Sequence, residues 1–214
     1  MDKPKAVLFD WDGTLYDSVK LCFEIYEELF ERFGAGKITF EEFRSDFSGD
    51  YHRYQAKHGL GEKMWPKVDA AWYDIYYAKQ DGAKLFSKTK PTLMALEKMG
   101  IPIGLVTNAT KKRIEGELSK LGLLGYFGTV AAIEDAEWEF KPSPRLINIA
   151  CEELRVNKGD ALYIGDMAED VIAGKRAGAR TGVVATGVHT IRKLALEEPD
   201  FIFENVGDVL GVFV

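Results

Sequence analysis

The sequence predicts an α/β protein: a parallel sheet with helices on both faces, interrupted by an all-helical insert. Three observations carry that expectation. Four short runs, at 6–9, 103–106, 161–164 and 181–185, are apolar throughout rather than alternating, as strands covered on both faces are. Segments of helical periodicity separate them, and strand–helix alternation implies crossovers and parallel pairing. About ninety residues lie between the first two of these strands, far more than one crossover helix needs.

The insert is not a loose loop. Cys22, Ile25, Tyr26, Leu29, Phe30 and Phe33 recur at helical spacing until Gly34. Thr39 to Glu42 fits a capping box opening a second helix. A third helix is expected over 50–58, ending at Gly59, and a longer one over 65–79, so that residues 16–85 form the insert. Past it, Pro91 is expected at the first position of a helix closing at Gly100. A helix from Lys111 towards Leu121 stops at Gly122, and a weaker fifth strand is read at 129–133. Ser143 should cap a helix with Pro144 just inside it, and a last helix should run from about Asp170 to near Gly178. No internal repeat or low-complexity stretch is present.

Composition narrows the function. A chain of 214 residues buries roughly 70% of its unfolded surface and needs no staple to fold. Hydrophobic residues at 46% and charged residues at 29% describe a soluble globular protein. A net charge of −6 argues against nucleic acid as a partner. No apolar run approaches the roughly 20 residues of a membrane span. The opening residues Met1-Asp2-Lys3-Pro4-Lys5 lack the apolar core of a signal peptide, and Cys22 and Cys151 read as buried free thiols. A cytoplasmic protein, monomeric or weakly dimeric, is expected.

Chemistry gathers where strands end. Asp10 follows the first strand, Thr107 the second and Asp166 the one closing with Ile164-Gly165. In an open parallel sheet ligands bind outside the carboxyl ends of the strands. Buried carboxylates there need a compensating cation. Asp10 and Asp12 are two residues apart, with Gly13 permitting a sharp turn, so one can attack while the other moves a proton. Thr107 and Asn108 stand between strand and helix, where hydroxyl and amide groups bind anions. Thr110 reads instead as a plain cap, and Glu169 as an acid favoured by its helix dipole. Lys141, fixed by Pro142 ahead of a helix, offers a directed ammonium, and Asp170 lies four residues past Asp166.

In these motifs, Asp10-Trp11-Asp12-Gly13-Thr14-Leu15-Tyr16-Asp17-Ser18, Thr107-Asn108, Lys141-Pro142-Ser143-Pro144 and Gly165-Asp166 with Asp170, the sequence resembles the haloacid dehalogenase superfamily, in its phosphoglycolate-phosphatase-like branch. The run Lys175-Arg176-Ala177-Gly178 is also similar. The resemblance implies a Rossmann-like α/β core, residues 1–15 and 86–214, carrying an inserted all-α cap domain over 16–85. It implies Mg²⁺-dependent hydrolysis of a phosphate monoester of a small metabolite through an aspartyl-phosphate. In that scheme Asp10 is the nucleophile and Asp12 the general acid and base. Mg²⁺ is held by Asp10, the Asp12 carbonyl and Asp166, with Asp170 orienting a metal-bound water. Thr107, Asn108 and Lys141 bind the phosphoryl group. Trp11 stands where Leu or Phe is commoner and is expected to narrow the mouth of the site.

Within the insert, Arg53 is the expected grip for a substrate carboxylate. His52 and His58 read as surface residues, and the stripe of Trp72, Tyr73, Tyr76 and Tyr77 as cap packing. A phosphomutase shares the aspartates but lacks here its His-bearing stretch after Gly-Thr, a dehalogenase has no use for an acid at Asp12, and a phospho-accepting receiver domain needs no seventy-residue cap. Phosphoglycolate, a sugar phosphate, a nucleotide, pyrophosphate and a broad range of esters are all compatible with the sequence.

Overall fold

A computed structural model describes residues 3–214, so the reading of the opening five residues falls partly outside it, on Met1 and Asp2. In chain order, β1 (Ala6–Phe9) and the two-residue β2 (Tyr16–Asp17) lead into four helices: α1 (Val19–Phe33), α2 (Phe40–Asp46), α3 (Tyr51–Lys57) and α4 (Trp65–Lys79). The chain returns through β3 (Lys84–Leu85) and then alternates: α5 (Thr89–Lys98), β4 (Ile103–Val106), α6 (Lys111–Leu121), β5 (Thr129–Ala131), α7 (Arg145–Glu153), β6 (Ala161–Gly165), α8 (Ala168–Ala177), β7 (Arg180–Val184), α9 (Ile191–Ala195) and β8 (Phe201–Phe203).

Six strands form one parallel sheet in the order β5-β4-β1-β6-β7-β8. The chain runs outward from β1 through β4 to β5, then crosses back over β1 to build β6, β7 and β8. The direction of winding therefore reverses beside β1, and a crevice opens at the carboxyl end of that strand. The antiparallel ribbon of β2 and β3, with Tyr16 opposite Leu85 and Asp17 opposite Lys84, is the neck through which the chain leaves for α1 to α4 and returns.

Alternation along β1 divides the core. Val7 and Phe9 join the larger apolar cluster, which continues through Trp11 and Leu15 into Ile25, Leu29, Val68 and Ile75 of α1 and α4. Leu8 points the other way, into a cluster with Val106, Tyr163, Leu146 and Ala173 beneath α7 and α8. The insert is thus packed on the same apolar body as one face of the sheet. Thr39 and Glu42 make the expected capping box, and α1 and α6 stop at Gly34 and Gly122 as the sequence indicates.

Boundaries elsewhere differ. Helix α5 starts at Thr89, so Pro91 is its third residue; amides of a first turn have no helical partner, and a proline there removes no bond. Pro144 precedes α7 rather than opening it, and α8 starts at Ala168, two residues before Asp170. The fifth strand ends at Ala131, and a 3-10 turn over Ile133–Ala136 follows. The ribbon and β8 are strands of two and three residues, too short to show a period.

Leu162 of β6 is fully buried within the larger cluster, on the central part of the sheet. Leu162→Ala is expected to lower the unfolding free energy by about 2–5 kcal/mol, read from urea denaturation, because the rigid sheet cannot collapse around the lost side chain.

Candidate active site

Strand pairing carries the first aspartate into place. The Asp10 amide donates to the Ile164 carbonyl at 2.8 Å, continuing the β1–β6 ladder one residue past β1. Asp166 follows β6 directly, and Asp170 lies on the first turn of α8. All three carboxylates are buried. Lys141, in the loop before α7, reaches beneath them: its Nζ donates to Asp10 Oδ1 at 2.8 Å, to Asp170 Oδ1 at 2.7 Å and to the Tyr163 hydroxyl at 2.9 Å. The Tyr163 hydroxyl in turn donates to Asp170 Oδ1 at 2.7 Å. Asp170 Oδ2 accepts from the Asp166 and Met167 amides, so both of its oxygens serve to hold Lys141 and the turn after β6.

Asp166 is fixed as closely. Its Oδ2 accepts from the Val188 amide at 2.7 Å and its Oδ1 from the Thr14 hydroxyl at 3.2 Å. Two glycines make room for it. A Cβ at Gly13, where φ is +78°, would stand 2.4 Å from Asp166 Oδ2, and one at Gly187 would stand 2.0 Å from it. The glycine of the first motif therefore permits both the turn and the approach of the second carboxylate.

Three carboxylates face one ammonium, so with all groups ionised the cluster sums to −2 (three negative charges against one positive). One oxygen from each of Asp10, Asp166 and Asp170 lies within 4.8 Å of the others. Burial, reinforced by Asp170 and only partly offset by Lys141, pushes the Asp10 carboxyl up to about 7. Burial and the neighbouring Asp10 likewise raise Asp166 well above the carboxylate range. Burial alone would pull the Lys141 ammonium down, but Asp10 and Asp170 together hold it well above its ordinary value. A buried, oxygen-only donor set short of two positive charges fits a hard divalent cation such as Mg²⁺. The Asp12 carboxylate is not part of this group.

Asp12 sits instead in a second network. Its Oδ1 accepts from Ser18 Oγ at 2.6 Å and from Arg113 Nη2 at 2.5 Å. Arg113 is buried; its Nε donates to Glu117 Oε1 at 2.7 Å, and its guanidinium lies over the Tyr76 ring, 4.6 Å from the centroid. Burial alone would lower the guanidinium, yet Asp12 and Glu117 keep it firmly charged. Glu117 also accepts from the Trp11 indole at 2.5 Å and from the Tyr76 hydroxyl. Sequence reasoning missed Arg113 and Glu117. Their only trace there was a charged i, i+4 pair on the face of α6 that also carries the apolar Ile114 and Leu118.

The other expected residues divide. Thr107 is buried and lines the cavity, its Oγ1 accepting from the Ala109 amide. Asn108 also lines it, but its side chain is spent on the Gly49 carbonyl and the Lys141 amide, tying the insert to the lysine loop. Arg53 is not brought to the site. Tyr51 and Gln55 share the cavity face of α3, and Arg53, two residues from each, is about 200° round the helix and exposed. Trp11 does not narrow a mouth: it is fully buried, stacked on Tyr16 and holding Glu117. His52 and His58 are half-buried rather than surface residues, His52 bonded to Asp69 and stacked on Trp65, His58 packed on Phe30. Cys22 is half-buried. Trp72, Tyr73 and Tyr76 line the cavity as well as pack, and so does Glu169.

The raised Asp10 carboxyl has a consequence for stability. The folded, cation-free protein keeps that proton up to about 7 against an ordinary 3.8, so between those values it binds more protons than the unfolded chain. Its stability falls as pH rises through that window. Chelated protein followed by thermal unfolding should lose stability from about pH 4 to pH 7, and Asp10→Asn should flatten the slope.

The arrangement has relatives. The family model of the haloacid dehalogenase-like hydrolases matches residues 7–184. The chain is 28% identical to pyrophosphatase PpaX of Bacillus velezensis over 97% of this chain and 95% of that one. It is 26% identical to phosphoglycolate phosphatase 1 of Pseudomonas aeruginosa over 97% and 79%. The fold recurs in a hydrolase from Pseudomonas syringae, with TM-score 0.85, 19% identity and 98% and 97% of the two chains covered. It recurs also in a HAD family hydrolase from Deinococcus radiodurans with bound phosphate and sodium, with TM-score 0.78, 21% identity and 99% and 96% covered. With the strand-end aspartates, the Lys141 ammonium and a matching span of 178 residues (7 through 184), the chain belongs to the haloacid dehalogenase-like hydrolase family.

Proposed function

We propose that this hydrolase is a Mg²⁺-dependent phosphatase acting on a phosphate monoester of a small metabolite through an aspartyl-phosphate on Asp10. One observation carries the reading: a buried carboxylate at the end of the central strand, one oxygen pinned by a buried ammonium, lines a cavity and clusters with two further carboxylates, Asp166 and Asp170. Relatives named as phosphatases of phosphoglycolate and of pyrophosphate support it. In this reading residues 1–15 and 86–214 form the catalytic core and 16–85 the cap.

An Asp10 oxygen attacks phosphorus as the ester P–O bond breaks, and the bonding pair leaves on the alcohol oxygen. Asp12 gives that oxygen a proton, then takes one from the water that attacks the aspartyl-phosphate, releasing phosphate and restoring Asp10. Ser18 and Arg113 both bind Asp12 Oδ1, which leaves Oδ2 to carry the proton. Thr107 and the amides after β4 meet the phosphoryl oxygens at a helix start. Lys141 holds Asp10 Oδ1 in place and offsets charge as the two anionic groups approach. Asp170 positions Lys141 through a direct bond, in place of the water-orienting role that the resemblance implies. Asp10, Asp166 and the Asp12 carbonyl would hold Mg²⁺, which supplies the two positive charges that the cluster lacks and lowers repulsion towards a phosphate dianion.

Assayed against a panel of phosphate esters with Mg²⁺, the native protein should release inorganic phosphate. Asp10→Asn should lower kcat by at least about 10³-fold, since the amide cannot attack. Undiminished phosphate release by the variant would remove Asp10 from the mechanism, and an isomerised sugar phosphate without free phosphate would point to a mutase.

A further inference from the structure

The cavity beside Asp10 is partly open to solvent, and α1, α3 and α4 build one of its walls. That wall decides which alcohol can leave. Among the described residues that line the cavity, the cationic side chains are Lys141 and Arg113. Neither is free for the leaving group. Lys141 spends three donors on Asp10, Asp170 and Tyr163. Arg113 is bonded to Asp12 and Glu117 and covered by the Tyr76 ring. Two acids, Asp69 and Glu169, also face the space. A second anionic group on the substrate, carboxylate or phosphate, would meet negative charge with no cation to pair it.

The surface that remains is aromatic and polar without charge. Trp72, Tyr73, Tyr51 and Phe47 present rings, which favour a planar partner by offset stacking. Three buried polar atoms of the lining residues lack any hydrogen-bond partner: Glu169 Oε2 on α8, and Gln55 Oε1 and Trp72 Nε1 on the aromatic wall. Gln55 is 1% exposed, and its orientation is set, because its Nε2 donates to Asp69 Oδ1 at 3.2 Å and the oxygen must then face the other way. Asp69 is itself held by His52, stacked on Trp65. Buried polar atoms are ordinarily paired, so one acceptor and one donor on this aromatic wall suit a ligand edge that offers one donor and one acceptor.

We propose that the substrate class of this site is the phosphate monoester of an uncharged alcohol bearing a heteroaromatic ring, its edge read by Gln55 Oε1 and Trp72 Nε1. This deepens the phosphatase reading and rests on it. It also separates the chain from the substrates that its relatives' names carry, both of which bring a second anionic group.

The test compares kcat/KM, with Mg²⁺, for nucleoside 5′-monophosphates and pyridoxine 5′-phosphate against phosphoglycolate, pyrophosphate and glycerol 3-phosphate, with p-nitrophenyl phosphate as a reference. The two ring-bearing arms distinguish a nucleobase from another heteroaromatic ring. At least one should exceed each small ester by about tenfold or more. Gln55→Leu and Trp72→Phe should each lower the ratio of kcat/KM for that ester to kcat/KM for glycerol 3-phosphate about tenfold, chiefly through KM. Preference for phosphoglycolate or pyrophosphate, or equal losses on every ester in both variants, would overturn the inference while the phosphatase reading stands. Failure to hydrolyse any ester, p-nitrophenyl phosphate included, would overturn both.

Discussion

Asp10, Asp166 and Asp170 bring three negative charges into a space where Lys141 supplies one positive charge. The sheet forces this meeting. β1 and β6 are neighbours in register, so residues just past Phe9 and Gly165 must share one crevice, and the first turn of α8 returns Asp170 to it. Ionising buried carboxylates at such spacing is costly unless a cation compensates. The raised Asp10 and Asp166 carboxyls express that cost, and the close approach of Gly13 and Gly187 to Asp166 shows how little room the cluster has to relax. With all its groups ionised, such a cluster is short of two positive charges.

In the proposed mechanism the acid side of the chemistry is kept apart from the cation side. Asp12 is two residues from Asp10 in sequence, yet its carboxylate belongs to Ser18, Arg113 and Glu117. That second cluster reaches the insert, because Glu117 accepts from Tyr76 of α4. The lysine loop reaches it too, through Asn108 and the Gly49 carbonyl. The helical insert therefore does more than roof the cavity. It touches Arg113, which holds Asp12, through the Tyr76 ring and Asn108, which holds the Lys141 amide, through the Gly49 carbonyl, and it supplies the aromatic wall.

Much of this was legible in the chain. Runs such as Ala6-Val7-Leu8-Phe9 are apolar at every position because helices cover both faces of a parallel sheet, and that pattern marks strands without alternation. The strand-end aspartates could be read because a carboxylate after such a run has few structural uses. What escaped the sequence depends on distance across the fold. Arg113 and Glu117 look like an ordinary helix-surface pair until the packing of α4 and Trp11 buries them. Arg53 looked suited to a substrate because it is cationic and near a loop, but its helix turns it outward. Gln55, uncharged and mid-helix, gave no signal at all. The two-residue ribbon and β8 were hidden by brevity.

The most direct examination of the central claim counts divalent ions. Mn²⁺, a spectroscopic stand-in for Mg²⁺, can be titrated into the native protein and into Asp166→Asn and followed by electron paramagnetic resonance. One tightly bound ion per native chain, with its affinity reduced at least about a hundredfold in the variant, is the predicted outcome. Equal binding to both proteins, or no binding to the native chain, would contradict the account of the carboxylate cluster as a cation site.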